Sequence, residues 1–402
     1  MLLGIVLGRT FGPVGKGIFS FAQLLVTIAT AVGEGIRSAY AFERTSGGTA
    51  TARELWGATL VLIASVSLPA GLFFVVMALR APGQLAYPFV AIAFPAVVYL
   101  QAVNLLWAMY GRIETLNVRN TATFGAGSSL AGAVAVSFFH APLGFVLGLW
   151  SLGIVLGALW ATIGVSAFFG GSPQRPSLRH LRVLAGFASK STFSQLATFL
   201  ARRVDVFIVL ALASKREFGI YTLAVATAEL MFQVSNSITW ATIGRVAVLD
   251  APEATALVAR IIRGLLITQV ILAAVLFAVG PSLISLVYGH AFAEAGLPLR
   301  LMLPGIVCFS ADQLLSFVIA ARLGRPGLLL GFETLSLTIC GTATYAGVLH
   351  AGIAGAAAAN TLTYLVSFAV KTTYFARTSN LSASDVLIAR WSDAPQRLRR
   401  LF

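Results

Sequence analysis

Charge is what this sequence has least of. Only 10% of its 402 residues are Asp, Glu, Lys or Arg and 58% are hydrophobic, against roughly 25% charged in soluble domains. With a mean hydropathy of +0.89, the chain has more apolar surface than a water-soluble fold could hide. Acidic residues are the scarcer sign, 14 against 28 basic, giving a net charge of +14. In a soluble chain that balance would point to nucleic acid. In a membrane chain it follows from basic residues collecting in cytoplasmic loops, so no nucleic-acid partner is expected. Cysteine is nearly missing: Cys308 and Cys340 stand in apolar runs without metal-ligand spacing. His140, His180, His290 and His350 are scattered without HExxH spacing, and neither a Walker loop nor a G-x-S-x-G elbow occurs. These absences argue against an ATP-driven pump carried on this chain, a metal hydrolase and a soluble enzyme. No metal and no cofactor is expected, and the chain reads as a non-enzyme.

What is present is a series of apolar runs, at 17–37, 56–79, 84–110, 122–140, 143–169, 184–212, 217–243, 261–288, 297–321, 326–346 and 351–375. About 20 residues cross the hydrocarbon layer as a helix, and helices satisfy their own backbone there. The fold class expected is therefore an all-α polytopic membrane protein. Sorting the basic residues by alternate loops puts nineteen, among them Arg179, Lys371 and the C-terminal arginines, on one side and six, including Arg9 and Lys16, on the other. The rich side is cytoplasmic by the positive-inside rule, and the C-terminus with it.

An internal repeat is visible. Gly17-Ile-Phe-Ser-Phe-Ala-Gln23 returns as Gly219-Ile-Tyr-Thr-Leu-Ala-Val225, His140-Ala-Pro-Leu-Gly144 as His350-Ala-Gly-Ile-Ala-Gly355, and Gly111-Arg112 as Gly324-Arg325, in order and at similar offsets. The expectation is two six-helix lobes around a central cavity. Residues 1–170 form the first lobe, 171–183 a cytoplasmic linker, 184–378 the second lobe and 379–402 a basic tail that either lies on an anionic membrane surface or is disordered. The repeat places the counterpart of the 184–212 run across Met1, so helix one is expected to be truncated and the native start to lie upstream.

Ionisable residues inside a membrane are costly and mark function by default. At ~100° per residue, Ser20, Gln23, Thr27, Thr30, Glu34 and Arg37 share one arc of their helix. Thr222, Glu229, Gln233, Asn236 and Trp240 do the same in the second half. The 184–212 run carries Lys190, Ser191, Ser194, Gln195, Thr198, Arg202 and Asp205 on one face. Arg202 and Asp205 are three apart, close enough to pair, as a static ion pair or as part of a binding site. Arg203 points off the stripe and reads as snorkelling toward an interface. The cavity candidates are thus Lys190, Gln195, Arg202, Asp205, Glu229, Gln233, Asn236 and Glu34. Candidates for ion coupling are Glu229, Asp312 and Glu333, each of which could instead be a hydrogen-bonded structural group.

The sequence resembles the Wzx-type polysaccharide flippases of the multidrug/oligosaccharidyl-lipid/polysaccharide exporter superfamily. The segments that carry the resemblance are Gly8 to Gln23, Arg203 to Leu210, Phe218 to Ala224, Leu286 to Ala295, Pro304-Gly-Ile306 and Gly352 to Thr361. It implies two lobes around a cavity open to one side at a time, and cargo of lipid-linked oligosaccharide on undecaprenyl pyrophosphate, moved across the cytoplasmic membrane. Implied partners are that cargo, membrane lipids and other polysaccharide assembly proteins, with the chain a monomer. A cation-coupled multidrug exporter of the same superfamily is the alternative.

Overall fold

The computed structural model of the chain describes residues 2–45, 50–80, 85–109, 114–319, 323 and 325–388. Among them every regular element is helical, and the chain divides into two compact units, Met1–Leu200 and Ala201–Phe402.

The first unit holds α1 (Leu2–Thr45), α2 (Ala52–Arg80), α3 (Ala86–Met109), α4 (Glu114–Phe139), α5 (Leu143–Phe169) and the larger part of α6 (Leu178–Leu212), as far as Leu200. α1 is broken at Gly12, whose φ of 66° is left-handed and open to glycine without steric penalty. Pro13 then restarts the helix at a position where its missing N–H costs nothing. Arg9 and Lys16 flank this break inside α1 rather than lying in a loop. Lys16 is buried, donates from Nζ to Ser20 Oγ at 3.0 Å and stands 5.6 Å over the Phe19 ring. α3 is the hub, packed on α1, α2 and α5. Its Tyr99 hydroxyl accepts from Trp56 Nε1 at 3.2 Å and from Thr162 Oγ1 at 3.0 Å, which satisfies polar groups that would otherwise be orphaned in an apolar core. α4 and α5 are joined through His140, at φ 51°. The stretch before α6 is tied to α2, with Arg53 Nε donating to Ser172 O at 2.8 Å and Gln174 N–H to Arg53 O at 3.0 Å.

The second unit continues α6 and adds α7 (Lys215–Ala228), α8 (Met231–Val248), α9 (Ala251–Tyr288), a 3-10 turn (His290–Ala295), α10 (Gly296–Phe317), α11 (Pro326–Thr378) and α12 (Ala383–Leu387). α7 starts on a capping box in which Ser214 and Glu217 bond each other's backbone. α11 has 53 residues and would run roughly 80 Å if straight, far more than the bilayer needs. It is instead broken at Ala351 and Gly352 and folds back on itself. A Cβ on Gly347 would lie 2.5 Å from the Gly355 carbonyl oxygen, so glycine alone lets the two limbs touch by backbone. α12 packs on α9, and its Val386 is fully buried among Val258, Ile262, Leu314 and Phe375. The start of the basic tail is thus folded into the core rather than laid on a surface; residues 389–402 lie outside the described set.

Seven helices among the described residues are long and apolar enough to cross a membrane, or eight if α7 and α8, bent by 42°, form one span. α11 supplies two crossings by its break. α6 is not among the seven, since Lys190, Arg202, Arg203 and Asp205 interrupt its apolar run. Large apolar side chains on α2 and α9, such as Leu68, Leu72, Leu79, Val270 and Ile271, are exposed. Such a surface requires a lipid solvent, and the chain is a multi-pass membrane protein. The eleven runs read from the sequence fall on α1 to α11, but those at 122–140 and 184–212 lie on α4 and α6, which are not among these spans.

Candidate functional site

Two polar clusters lie inside the second unit, where apolar helices would be expected to close over one another. The first joins α10 to both limbs of α11. Lys371 is fully buried and donates from Nζ to Asp312 Oδ2 at 2.8 Å, to Glu333 Oε1 at 2.8 Å and to Ser316 Oγ at 3.0 Å. Ser367 Oγ donates to the other oxygen of Asp312 at 3.0 Å. Side-chain exposure is 0% for Lys371, 3% for Asp312 and 19% for Glu333. The hairpin explains the meeting: Glu333 precedes the Gly352 break by about as many residues as Lys371 follows it, so the two stand at one level of the paired limbs. Sorting Lys371 with the cytoplasmic loops is therefore corrected. It stands within the 351–375 run, and the fold sets it in the core.

The second cluster lies where α6 meets α7 and α11. Arg203 pairs with Glu229 by two bonds, Nη1 to Oε1 at 2.8 Å and Nη2 to Oε2 at 2.9 Å, both groups about three-quarters buried. This bidentate fork is the strong form of the arginine–carboxylate interaction, and it corrects the reading of Arg203 as a snorkelling residue. Asp205 is buried and accepts from the Tyr221 hydroxyl at 2.6 Å and from Asn360 Nδ2 at 3.0 Å, both on its Oδ2. Its other oxygen has no hydrogen-bond partner among the described residues. Arg202 does not pair with Asp205. It is exposed, its guanidinium lying 5.4 Å over the Phe309 ring, and that ring stacks on Tyr364 at 4.4 Å. The pattern of α6 set Arg202 and Asp205 on one stripe, but the stripe is wide enough that Asp205 falls in the core and Arg202 at the rim.

The remaining candidates are placed as follows. Lys190 and Gln233 are exposed, and Gln195 and Asn236 half-buried. Glu34 pairs with Arg37 at 2.7 Å within α1. The side chains of Ser194 and Thr198 lie outside the described residues. Sequence reasoning missed Lys371, Tyr221 and Asn360. The signal for Lys371 was available, because a hairpin about the His350-Ala-Gly segment places it opposite Glu333. Tyr221 and Asn360 sit in segments that carry only turn and small-residue motifs, and nothing in the sequence marks them as partners of Asp205.

Comparison with known proteins agrees with this architecture. The polysaccharide biosynthesis protein family is matched over residues 96–296, half of the chain. No curated protein sequence matches significantly. Among solved structures, an inward-facing multidrug resistance MATE family transporter of the MOP superfamily superposes with a TM-score of 0.68, at 14% identity over 95% of each chain. The lipid II flippase MurJ in an inward closed conformation gives 0.68 at 12% identity over 96% of this chain and 86% of its own. A MOP superfamily transporter from Pyrococcus furiosus, described as having a binding pocket of reverse polarity, gives 0.61 at 12% identity over 95% and 92%. At such identities the likeness is one of fold.

Proposed function

We propose, from the premise that this chain belongs to the polysaccharide biosynthesis protein family, that it is a flippase carrying a lipid-linked oligosaccharide across the cytoplasmic membrane by alternating access. The observation that carries the proposal is Arg202. It is an exposed cation on the polar face of α6 and has no carboxylate partner among the described residues, although its neighbour Arg203 is fully paired. An exposed arginine without a carboxylate of its own is free to take an anionic counterpart from elsewhere. The pyrophosphate of a lipid-linked sugar is the part of such cargo that most resists hydrocarbon, and an arginine binds its oxygens through two parallel donors. Gln233 and Asn236, in the same unit, offer neutral donors and acceptors suited to sugar hydroxyls.

The buried carboxylates Asp205 and Asp312 favour a second reading, a cation-coupled multidrug exporter. Proteoliposomes separate the two. With a labelled undecaprenyl-pyrophosphate oligosaccharide, the flippase reading expects translocation that Arg202→Ala abolishes and Arg202→Lys impairs, because a point charge cannot reproduce the fork. Uptake of a cationic dye without any movement of the labelled lipid would decide for the exporter. The orientation with a cytoplasmic C-terminus rests on the excess of basic residues in one set of alternate loops, which persists once Lys371, Arg9 and Lys16 are taken out of the count. Labelling of Arg179→Cys by an impermeant reagent from the periplasmic side of spheroplasts would reverse it.

A further inference from the structure

We propose that the groove between the two limbs of α11 binds an anionic phospholipid of the surrounding bilayer, with its headgroup phosphate on Arg377 and an acyl chain laid over Phe332 and Val370. The proposal needs the membrane placement of the chain and nothing of its cargo.

The groove follows from spacing. Val370, Thr373, Tyr374 and Arg377 recur at i, i+3, i+4 and i+7, so they form one stripe of the second limb. Phe332 of the first limb closes the other side, its ring edge-on to that of Tyr374 with 5.8 Å between centroids. With Ala369 these side chains line an open groove of about 410 Å³. Its polarity is graded along the helix. Phe332, Ala369 and Val370 are apolar, and the Thr373 hydroxyl is spent on the Ala369 carbonyl of its own helix at 2.8 Å. The polar groups that remain are the Tyr374 hydroxyl and the Arg377 guanidinium, close to the end of α11 at Thr378.

A phospholipid has its parts in the same order. From Ala369 to Arg377 the helix rises roughly 12 Å, most of the hydrocarbon depth of one leaflet, about 15 Å. The polar run Thr378-Ser379-Asn380 follows, so Arg377 stands where the chain leaves the hydrocarbon and Ala369 lies well inside it. Tyrosine is enriched at that boundary, and the arginine fork matches the oxygens of a phosphate.

Charge selects the occupant. Arg325 opens the first limb and Arg377 closes the second, so the fold-back brings both cations to one end of the hairpin. Each is exposed, and neither pairs with a carboxylate among the described residues. The acids of the neighbouring elements are engaged, Asp312 and Glu333 by Lys371 and Asp385 in the cap of α12. Residues 389–402 of the chain itself carry four arginines against one aspartate, and a second copy would present the same two cations, so both have the wrong sign. A basic pocket between membrane helices is a physical match for an anionic headgroup, whereas a zwitterionic lipid brings a cation of its own.

Photo-crosslinking on the purified full-length protein in phosphatidylcholine nanodiscs tests this. The probe is phosphatidylglycerol with a diazirine in one acyl chain, added as a minor component. Label should concentrate on Phe332 and on residues 369–374. It should exceed the label from phosphatidylcholine carrying the same diazirine by about fivefold, the equivalent of one arginine near an anionic surface. Arg377→Gln should bring the two lipids level and Arg377→Lys should keep a preference. Val370→Trp, which fills the groove, should lower both. Equal labelling by the two lipids in the unmodified protein overturns the proposal and needs no variant to fold; a preference that survives Arg377→Gln overturns it as well. Inorganic phosphate should not compete, having no chain for the groove, and its displacing the label would count against the proposal. Removal of the label by undecaprenyl pyrophosphate at an equal mole fraction would assign the groove to cargo instead. Labelling requires no transport, so a failure here leaves the flippase reading standing, and a failure of that reading leaves the lipid site.

Discussion

The two units differ most in what they bury. Among the described residues the first encloses one charged side chain, Lys16, resting on a serine hydroxyl and an aromatic ring. The second encloses Asp205, Arg263, Asp312 and Lys371, with the Arg203–Glu229 pair beside them. Both units break a helix near their His-Ala segment, at His140 in one and at Ala351 and Gly352 in the other, so the contrast is not one of helical pattern. It lies in polar partners drawn from distant parts of the chain. The first unit is held by apolar and aromatic packing. The second depends on polar groups that fail together when one is removed.

The sharpest test of that contrast is Lys371→Met. It leaves Asp312 and Glu333 facing each other without their cation, and breaking a buried pair by removing one partner costs roughly 3–5 kcal/mol. The denaturation midpoint of the purified protein should fall accordingly. Lys16→Met, which strands no carboxylate among the described residues, should be near neutral; equal losses in the two variants would erase the difference between the units. Next in size is Arg203→Ala. Glu229, about three-quarters buried, then loses both its bonds, for about 1–3 kcal/mol, seen in the same unfolding measurement.

Backbone strain comes third. Gly352 has φ 57° and its nearest would-be neighbour, Glu217 Oε1, is 3.9 Å away, so Gly352→Ala is penalised by conformation and not by crowding, at roughly 1–2 kcal/mol. His140→Gly at φ 51° should do the reverse and raise the midpoint slightly, the smaller gain reflecting the extra freedom glycine brings to the unfolded chain. The smallest expected change is in Arg202→Ala, which forfeits about 0.5–1 kcal/mol of stacking at an exposed site. Loss of transport with the midpoint almost unmoved would separate Arg202 from its neighbour Arg203 in role as well as in geometry.

Much of the architecture was legible in the chain. Hydropathy and run length placed the helices, and the gap between the runs 326–346 and 351–375 marked the break in α11. The polar face of α6 was visible from periodicity alone. Partners were not. A helical wheel states which residues share a face, but Lys371 meets Asp312 across 59 residues of chain and Asp205 meets Asn360 across 155. Arg202 and Arg203 differ by one position, and only the packing of α7 against α10 and α11 decides which of them finds a carboxylate. Sequence periodicity gives directions without distances, so ion pairing was the reading it served least well.

The seating of Val386 beneath α9 bears on how the protein is handled. A reporter or affinity domain grafted in place of residues from Leu381 onward would withdraw a valine side chain that has no exposed surface and uncover Ile262 and Phe375. Such a chimera should accumulate poorly, and a low yield could be mistaken for evidence about membrane insertion. A junction made beyond Ile388 keeps the plug in its socket.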